Sequence, residues 1–321
     1  MPNPAPKLEE RLTQRGISRR QFLGFCGFMA ATLAMPTLHK SRIAEALDAA
    51  TRLPIVWLGF NDCTADTESF LHASNPTVSS ILLDLISLDY HETLMAASGL
   101  MATKSLQDTM TRYPGQYVAV IEGAIPAAAN GAYCVVGGRS ALSTVREVCG
   151  SAMATIAVGA CAWDGGWSAA APNPTGSLGV RGAVPGIKNL IVLPGCPMNV
   201  VNFTATLVYR LTYGAWPAVD SQGRPKFAYD EDIHDECPRH DHYEDGRFVL
   251  EWGDAGHRQG WCLYKMGCRG PKTKSNCSKV KWNDGVNWPI GAGHGCIGCA
   301  SPNFWDQMTP FYTALPGGGD D

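Results

Sequence analysis

Soft metal ligands are concentrated between residues 234 and 299, where His234, Cys237, Cys262, Cys268, Cys277, Cys296 and Cys299 all fall. Their spacings are short: H-x-x-C, then C-x5-C, then C-x-x-C. Thiolate and imidazole donors at such intervals select zinc, copper(I) or iron–sulfur clusters. The connecting stretches, CRGPKTKSNC and GAGHGCIGC among them, are loop formers without a periodic apolar pattern. A segment so poor in regular structure needs bound metal to hold it. Three groups of donors along it suggest more than one inorganic centre.

A second donor set lies upstream and depends on the elements that carry it. Short apolar runs at 54–60, 81–88, 117–125, 155–160 and 189–195 read as buried parallel strands, with helical stretches between them at Ala141 to Val148 and Val200 to Leu211. This alternation predicts an open α/β sheet of flavodoxin type, whose ligands sit beyond the carboxyl ends of the strands. Cys63 and Asp66 follow the first run, Cys161 follows TIAVGA, and Cys196 follows NLIVLPG. Three thiolates and one carboxylate are thus expected to meet where a flavodoxin places its flavin. The glycines of GACAWDGG and PGCP let backbone approach a bulky group there. After about residue 202 the strand pattern fades, and a mostly irregular, cysteine-rich domain is expected from 229 to 321, following an α/β domain over 47–228.

Residues 1–46 read as a targeting segment and not as structure. Ser18-Arg19-Arg20-Gln21-Phe22-Leu23 is a twin-arginine motif before a mildly apolar run, and Ala44-Glu45-Ala46 offers small residues for cleavage. This segment carries seven Lys/Arg and three Asp/Glu, so without it the net charge moves from −3 to −7. That route exports folded proteins, which suits a chain loaded with metal beforehand. No later run reaches the roughly 18 apolar residues of a spanning helix. The charge and the lack of a basic, aromatic-rich stripe argue against nucleic acid as a partner. Twelve cysteines in an exported chain ordinarily suggest disulfides. The length, the 35 glycines and the clustered spacing favour metal instead. Donor sets with one histidine, with one carboxylate and with only three cysteines fit poorly to repeated zinc knuckles and better to iron–sulfur clusters.

The motifs DCTADTES, ISLDYHETLMAASG, VIEGAIP, GACAWDGG, PNPTGSLG, LPGCPMN, IHDECPRH, GWCLYKMGCRGPKTKSNC and WPIGAGHGCIGCASPNFWD occur in this order. In them the chain resembles the small subunit of nickel–iron hydrogenases of the periplasmic or membrane-bound uptake group. The resemblance implies an electron relay of three clusters. A proximal [4Fe–4S] cluster would be held by Cys63, Asp66, Cys161 and Cys196. A medial [3Fe–4S] cluster would use Cys277, Cys296 and Cys299, with Pro289 where a fourth cysteine would stand. A distal [4Fe–4S] cluster would use His234, Cys237, Cys262 and Cys268. It further implies a large subunit holding the nickel–iron site, and a membrane cytochrome b or ferredoxin-like acceptor on the periplasmic side of the cytoplasmic membrane. A stand-alone iron–sulfur carrier and a zinc-stabilised structural protein are the competing readings.

Two departures from the pattern stand out. Cys63-Thr64-Ala65-Asp66 stands where relatives carry C-T-G-C or C-T-C-C, so the fourth proximal position is a carboxylate. Aspartate ligation is favoured over a water in the gap or the loss of one iron, with a helix-capping role as the ordinary alternative. Oxygen-tolerant relatives add cysteines at places that are Ala65 and Gly166 here. Cys134 and Cys149 read as small core thiols, and His240, His242 and His257 as surface histidines. The run Lys265, Arg269, Lys272, Lys274, Lys279 and Lys281 reads as a solvated face, available to offset anionic clusters or dock an electron acceptor.

Overall fold

A computed structural model describes residues 16–314 apart from 37, 75–76, 79–80, 82–84 and 284. Five parallel strands form the central sheet: β1 (Leu53–Gly59), β2 (Ile86–His91), β3 (Val118–Glu122), β4 (Ala154–Val158) and β5 (Leu190–Leu193). Their order is 2-1-3-4-5, that of a doubly wound sheet with helices on both faces.

Strand composition explains this placement. Ile55, Trp57, Val118, Val120, Ile156, Val158, Ile191 and Leu193 point to one core, while Val56, Leu58, Ala119, Ile121, Ala157 and Val192 point to the other. Both faces are therefore buried, and the runs read as continuously apolar, without alternation. The first core is closed by Phe70 of α3 (Ala65–Leu71) and Phe203 of α7 (Val200–Tyr213), the second by α4 (Gly99–Arg112) and α5 (Ala141–Ser151). Trp57, Phe70 and Phe203 form an aromatic triangle with centroids 5.4–5.9 Å apart. Burial of each such side chain is worth about 1.5–3 kcal/mol.

Two differences from the sequence reading have physical causes. The second strand runs 86–91 and not 81–88; of that stretch, 82–84 lie outside the described residues. β2 is an edge strand, and its polar Asp89 is satisfied by Ser87 and Thr109 hydroxyls, so an apolar count places it too early. The stretch taken as targeting segment alone is also folded from residue 19 onward. Helix α1 (Arg19–Thr32) opens with a Ser18–Gln21 capping box and buries Phe22, Phe25, Cys26, Met29 and Ala30. These lie at i, i+3, i+4, i+7 and i+8, one helical stripe. It pairs with α2 (His39–Ala49) against α7, where Tyr213 meets His39 Nδ1 at 2.6 Å and the Arg42 guanidinium at 4.6 Å. Beyond Tyr213 the described residues hold only helical turns of three to five residues and isolated bridges.

Candidate metal centres

All four upstream donors sit beyond the carboxyl edge of the sheet. Cys63 and Asp66 follow β1, Cys161 lies within α6 (Gly159–Asp164) directly after β4, and Cys196 follows β5. Three loops are tied to one another around them. Ala160 N donates to Gly195 O (2.7 Å), Ser69 Oγ to Met198 O (2.7 Å), and Met198 N to Asp66 Oδ1 (2.6 Å). Asp66 shares the inward face of α3 with Phe70 and is buried. Burial pushes its carboxyl up to about 8, Glu122 and Asp62 add to this, and the Met198 N–H opposes it. Cys161 is driven up to about 12 by burial first, then by the facing Asp66, Cys196 and Cys63.

Close packing leaves room for nothing larger than glycine beside these donors. A Cβ on Gly159 would lie 2.1 Å from Asp66 Oδ2, and one on Gly166 2.4 Å from Cys161 Sγ. The added cysteine that oxygen-tolerant relatives carry at this place therefore has no room at residue 166, where φ is +55°.

Cys277, Cys296 and Cys299 line one cavity of about 310 Å³, together with Pro289 and with Cys196 from the upstream set. His234, Cys237, Cys262 and Cys268 line another beneath Ile290. The three sets follow one another in space. Cys196 borders the Cys277–Cys296–Cys299 cavity, and Cys296 N donates to Cys268 Sγ at 3.3 Å. Further donors point at sulfur: Gly298 N to Cys296 (3.3 Å), Gly270 N to Cys268 (3.4 Å) and Arg239 N to Cys237 (3.4 Å), with the Ser275 hydroxyl 3.0 Å from Cys277. Such N–H···S contacts tune a cluster's potential. His234 begins the turn closed by Cys237 N–H and packs on Tyr243.

The donor chemistry fits iron–sulfur clusters. All cysteines are free, and no three His, Cys, Asp or Glu donors among the described residues converge closely enough for a single ion. The Cys277–Cys296–Cys299 set instead surrounds a space of multi-atom size, and the donors of all three sets are of the kind that holds soft-ligated iron.

Residues 229–312 match the C-terminal family of the NiFe/NiFeSe hydrogenase small subunit, and residues 63–210 match the family described as NADH ubiquinone oxidoreductase, 20 Kd subunit. The chain is 43% identical to the uptake hydrogenase small subunit of Azotobacter vinelandii over 95% of its length and 84% of that protein's. It is 44% identical to periplasmic [NiFe] hydrogenase small subunit 1 of Nitratidesulfovibrio vulgaris, over 95% and 96% respectively. The chain belongs to the hydrogenase small subunits. This small subunit also superposes on a chain of the Desulfomicrobium baculatum [NiFeSe]-hydrogenase structure with a TM-score of 0.78 at 34% identity, covering 83% of this chain and all of that one. The actinobacterial-type NiFe-hydrogenase from Ralstonia eutropha is similar at 28% identity and a TM-score of 0.75, covering 84% of each chain. The family carries iron–sulfur clusters and works with a large subunit.

Several residues of the small subunit's site escaped the sequence reading. Glu122, 2% exposed, accepts from Trp57 Nε1 (2.9 Å), Thr67 N (3.0 Å) and the Thr67 hydroxyl. It thereby caps the helix that carries Asp66. His91 Nδ1 accepts from Thr93 N, leaving Nε2–H for Thr67 Oγ1 (3.2 Å), and burial holds its ring down at about 4. A carboxylate ending the apolar strand VAVIE was the available signal. Arg269, read as part of a solvated face, is instead 2% exposed. Cys149 is buried as expected, whereas Cys134 is half-buried. His240, His242 and His257 are half-buried, and His257 joins the Gly253 and Gly293 loops.

Proposed function

We propose that this chain is the electron-transferring small subunit of a nickel–iron hydrogenase, taking electrons from H2 oxidation in its large subunit toward a membrane acceptor. Iron–sulfur clusters supply one-electron carriers in soft-ligand sites. The reading assigns Cys63, Asp66, Cys161 and Cys196 to a proximal four-iron cluster. It assigns Cys277, Cys296 and Cys299 to a medial three-iron cluster, and His234, Cys237, Cys262 and Cys268 to a distal four-iron cluster. The observation that carries it is the contiguity of the donor sets, Cys196 against the second cavity and Cys296 N–H on Cys268 Sγ.

Each residue has a part in this arrangement. Asp66 is aimed inward by Phe70 and by the Met198 N–H, which keeps one oxygen occupied and leaves the other toward Gly159 and the Cys161 loop. Pro289 occupies the wall of the medial cavity where a fourth donor would be required for a fourth iron. His234 contributes a neutral ligand, which raises the distal potential relative to an all-thiolate site. Exposed Cys63 and Cys196, with half-exposed Trp167 beside Cys196, support this edge as the face for the large subunit. Export by the twin-arginine route, with the acceptor a cytochrome b or a ferredoxin-like protein on the periplasmic side, rests on Ser18-Arg19-Arg20. No described helix is long and apolar enough to cross a membrane.

Iron, acid-labile sulfide and EPR on the anaerobically purified heterodimer test the reading. About eleven irons per small subunit, beyond the partner's own, correspond to two four-iron clusters and one three-iron cluster. About ten would remove Asp66 from the ligand set while leaving the relay, and zinc in place of iron would end the proposal. Asp66→Ala is expected to lose one iron from the proximal site, and Asp66→Cys to retain it with an altered proximal EPR signature.

A further inference from the structure

A buried cation is carried by the segment that joins the distal and medial donor sets. Arg269 follows Cys268 directly, its N–H donates to Cys296 O (2.8 Å), and its Cβ faces Gly298. It is 2% exposed. Its guanidinium donates only to main-chain carbonyls: Nε to Met308 (3.0 Å), Nη1 to Gly267 (2.9 Å) and Thr313 (3.1 Å), and Nη2 to Pro310 (2.9 Å). Among the described residues no carboxylate forms an ion pair with it, whereas buried Arg224 has Asp220 at 2.8 Å. Carbonyl dipoles satisfy the donors without neutralising the charge, and an unbalanced buried charge is costly. Its main chain joins a distal donor, Cys268, to a medial one, Cys296, so thiolates of both sets flank the segment that carries the charge.

We propose that Arg269 is the fixed counter-charge of the medial and distal clusters, and that it raises both of their reduction potentials relative to the proximal one. This rests on the cluster assignment above. A positive charge held in low dielectric favours the more negative, reduced state of a neighbouring cluster. The strap Met308–Thr313 wraps the guanidinium and excludes water, so its field acts unscreened. Arg239 differs. Its main-chain N–H meets Cys237 and its guanidinium the Trp261 carbonyl, both on the distal side, so its influence is confined to that cluster.

EPR-monitored redox titration of the intact heterodimer, in wild type, Arg269→Met and Arg269→Lys, tests the proposal. In Arg269→Met the medial and distal midpoints should move to more negative values by at least a tenfold change in the reduced-to-oxidised ratio, about 59 mV for a one-electron couple. The proximal midpoint should stay in place, and Arg269→Lys, which keeps the charge but not the fork, should restore most of the shift. Unmoved medial and distal midpoints in Arg269→Met, or an equal shift at the proximal cluster, would overturn it. If Arg269→Met does not assemble, normal clusters and midpoints in Arg269→Lys support the charge role. Cluster loss in both variants assigns the residue to chain geometry and overturns the proposal. Absence of iron from the wild type would instead sink the cluster assignment itself.

Discussion

Asp66 and Gly166 show how tightly single side chains define the upstream site. A methyl at 166 would have to occupy space 2.4 Å from Cys161 Sγ, on a backbone at φ +55° that disfavours any side chain. Gly166→Ala is therefore expected to cost at least about 1 kcal/mol of stability and to lower proximal iron selectively. Normal iron content with an unchanged melting temperature would show that the Cys161 loop yields easily. His91 makes a separate pH prediction. Burial holds its ring down at about 4, against an ordinary 6.5. The unfolded chain therefore takes up this proton first. The contribution is complete above pH 6.5 and is lost as pH falls toward 4, by up to about 3 kcal/mol. Melting curves across that interval should show the loss, and His91→Gln should flatten it at the cost of a weakened Thr67 contact.

Helix α7 connects the sheet to the cysteine-rich domain through its own first turn. Asn199 Oδ1 accepts from Val201 N (2.9 Å) while its Nδ2 donates to Lys281 O (2.6 Å), and Asn202 and Asn276 exchange amide hydrogen bonds one residue before Cys277. A cap alone is worth about 1 kcal/mol, as for Ser140 on α5, whose hydroxyl accepts from Ser143 N. Asn199→Ala should cost more than Ser140→Ala, and should speed hydrogen exchange over 277–283 where Ser140→Ala does not. Equal costs with unaltered exchange there would break the link. Glu122 works similarly on α3, since a buried carboxylate on the third N–H of a helix fixes both its position and the donor it carries.

Across the whole molecule, the two domains are held by different means. The sheet has extensive apolar cores on both faces. The C-terminal domain has a small core around Ile233, Val249, Leu263, Met266, Trp288 and Ile290, into which the cysteines themselves pack. Removing iron with a chelator under reducing conditions should raise hydrogen exchange through 230–314 while β1, β3 and β4 stay protected. Uniform loss of protection in both domains would mean that the clusters stabilise the sheet as well.

Donor identity and spacing, four of the five apolar runs, the helices after 141 and 200, and the fading of the strand pattern after about residue 202 are legible from residue order. Each is a local property: thiolate softness, strand period, capping chemistry. The strand at 86–91 was misplaced because an edge strand tolerates polar residues that pair laterally. The α1–α2 hairpin was missed because a mildly apolar amphipathic stretch folds only against a surface such as α7. Glu122 beneath α3, and Arg269 enclosed by the 308–313 strap, could not be read from their neighbours in sequence. Their partners lie 55 and about 40 residues away. Sequence order sets which groups exist and how far apart the chain holds them. Burial and convergence arise only when distant segments close, and here they decide which carboxylate caps a helix and which cation loses its water.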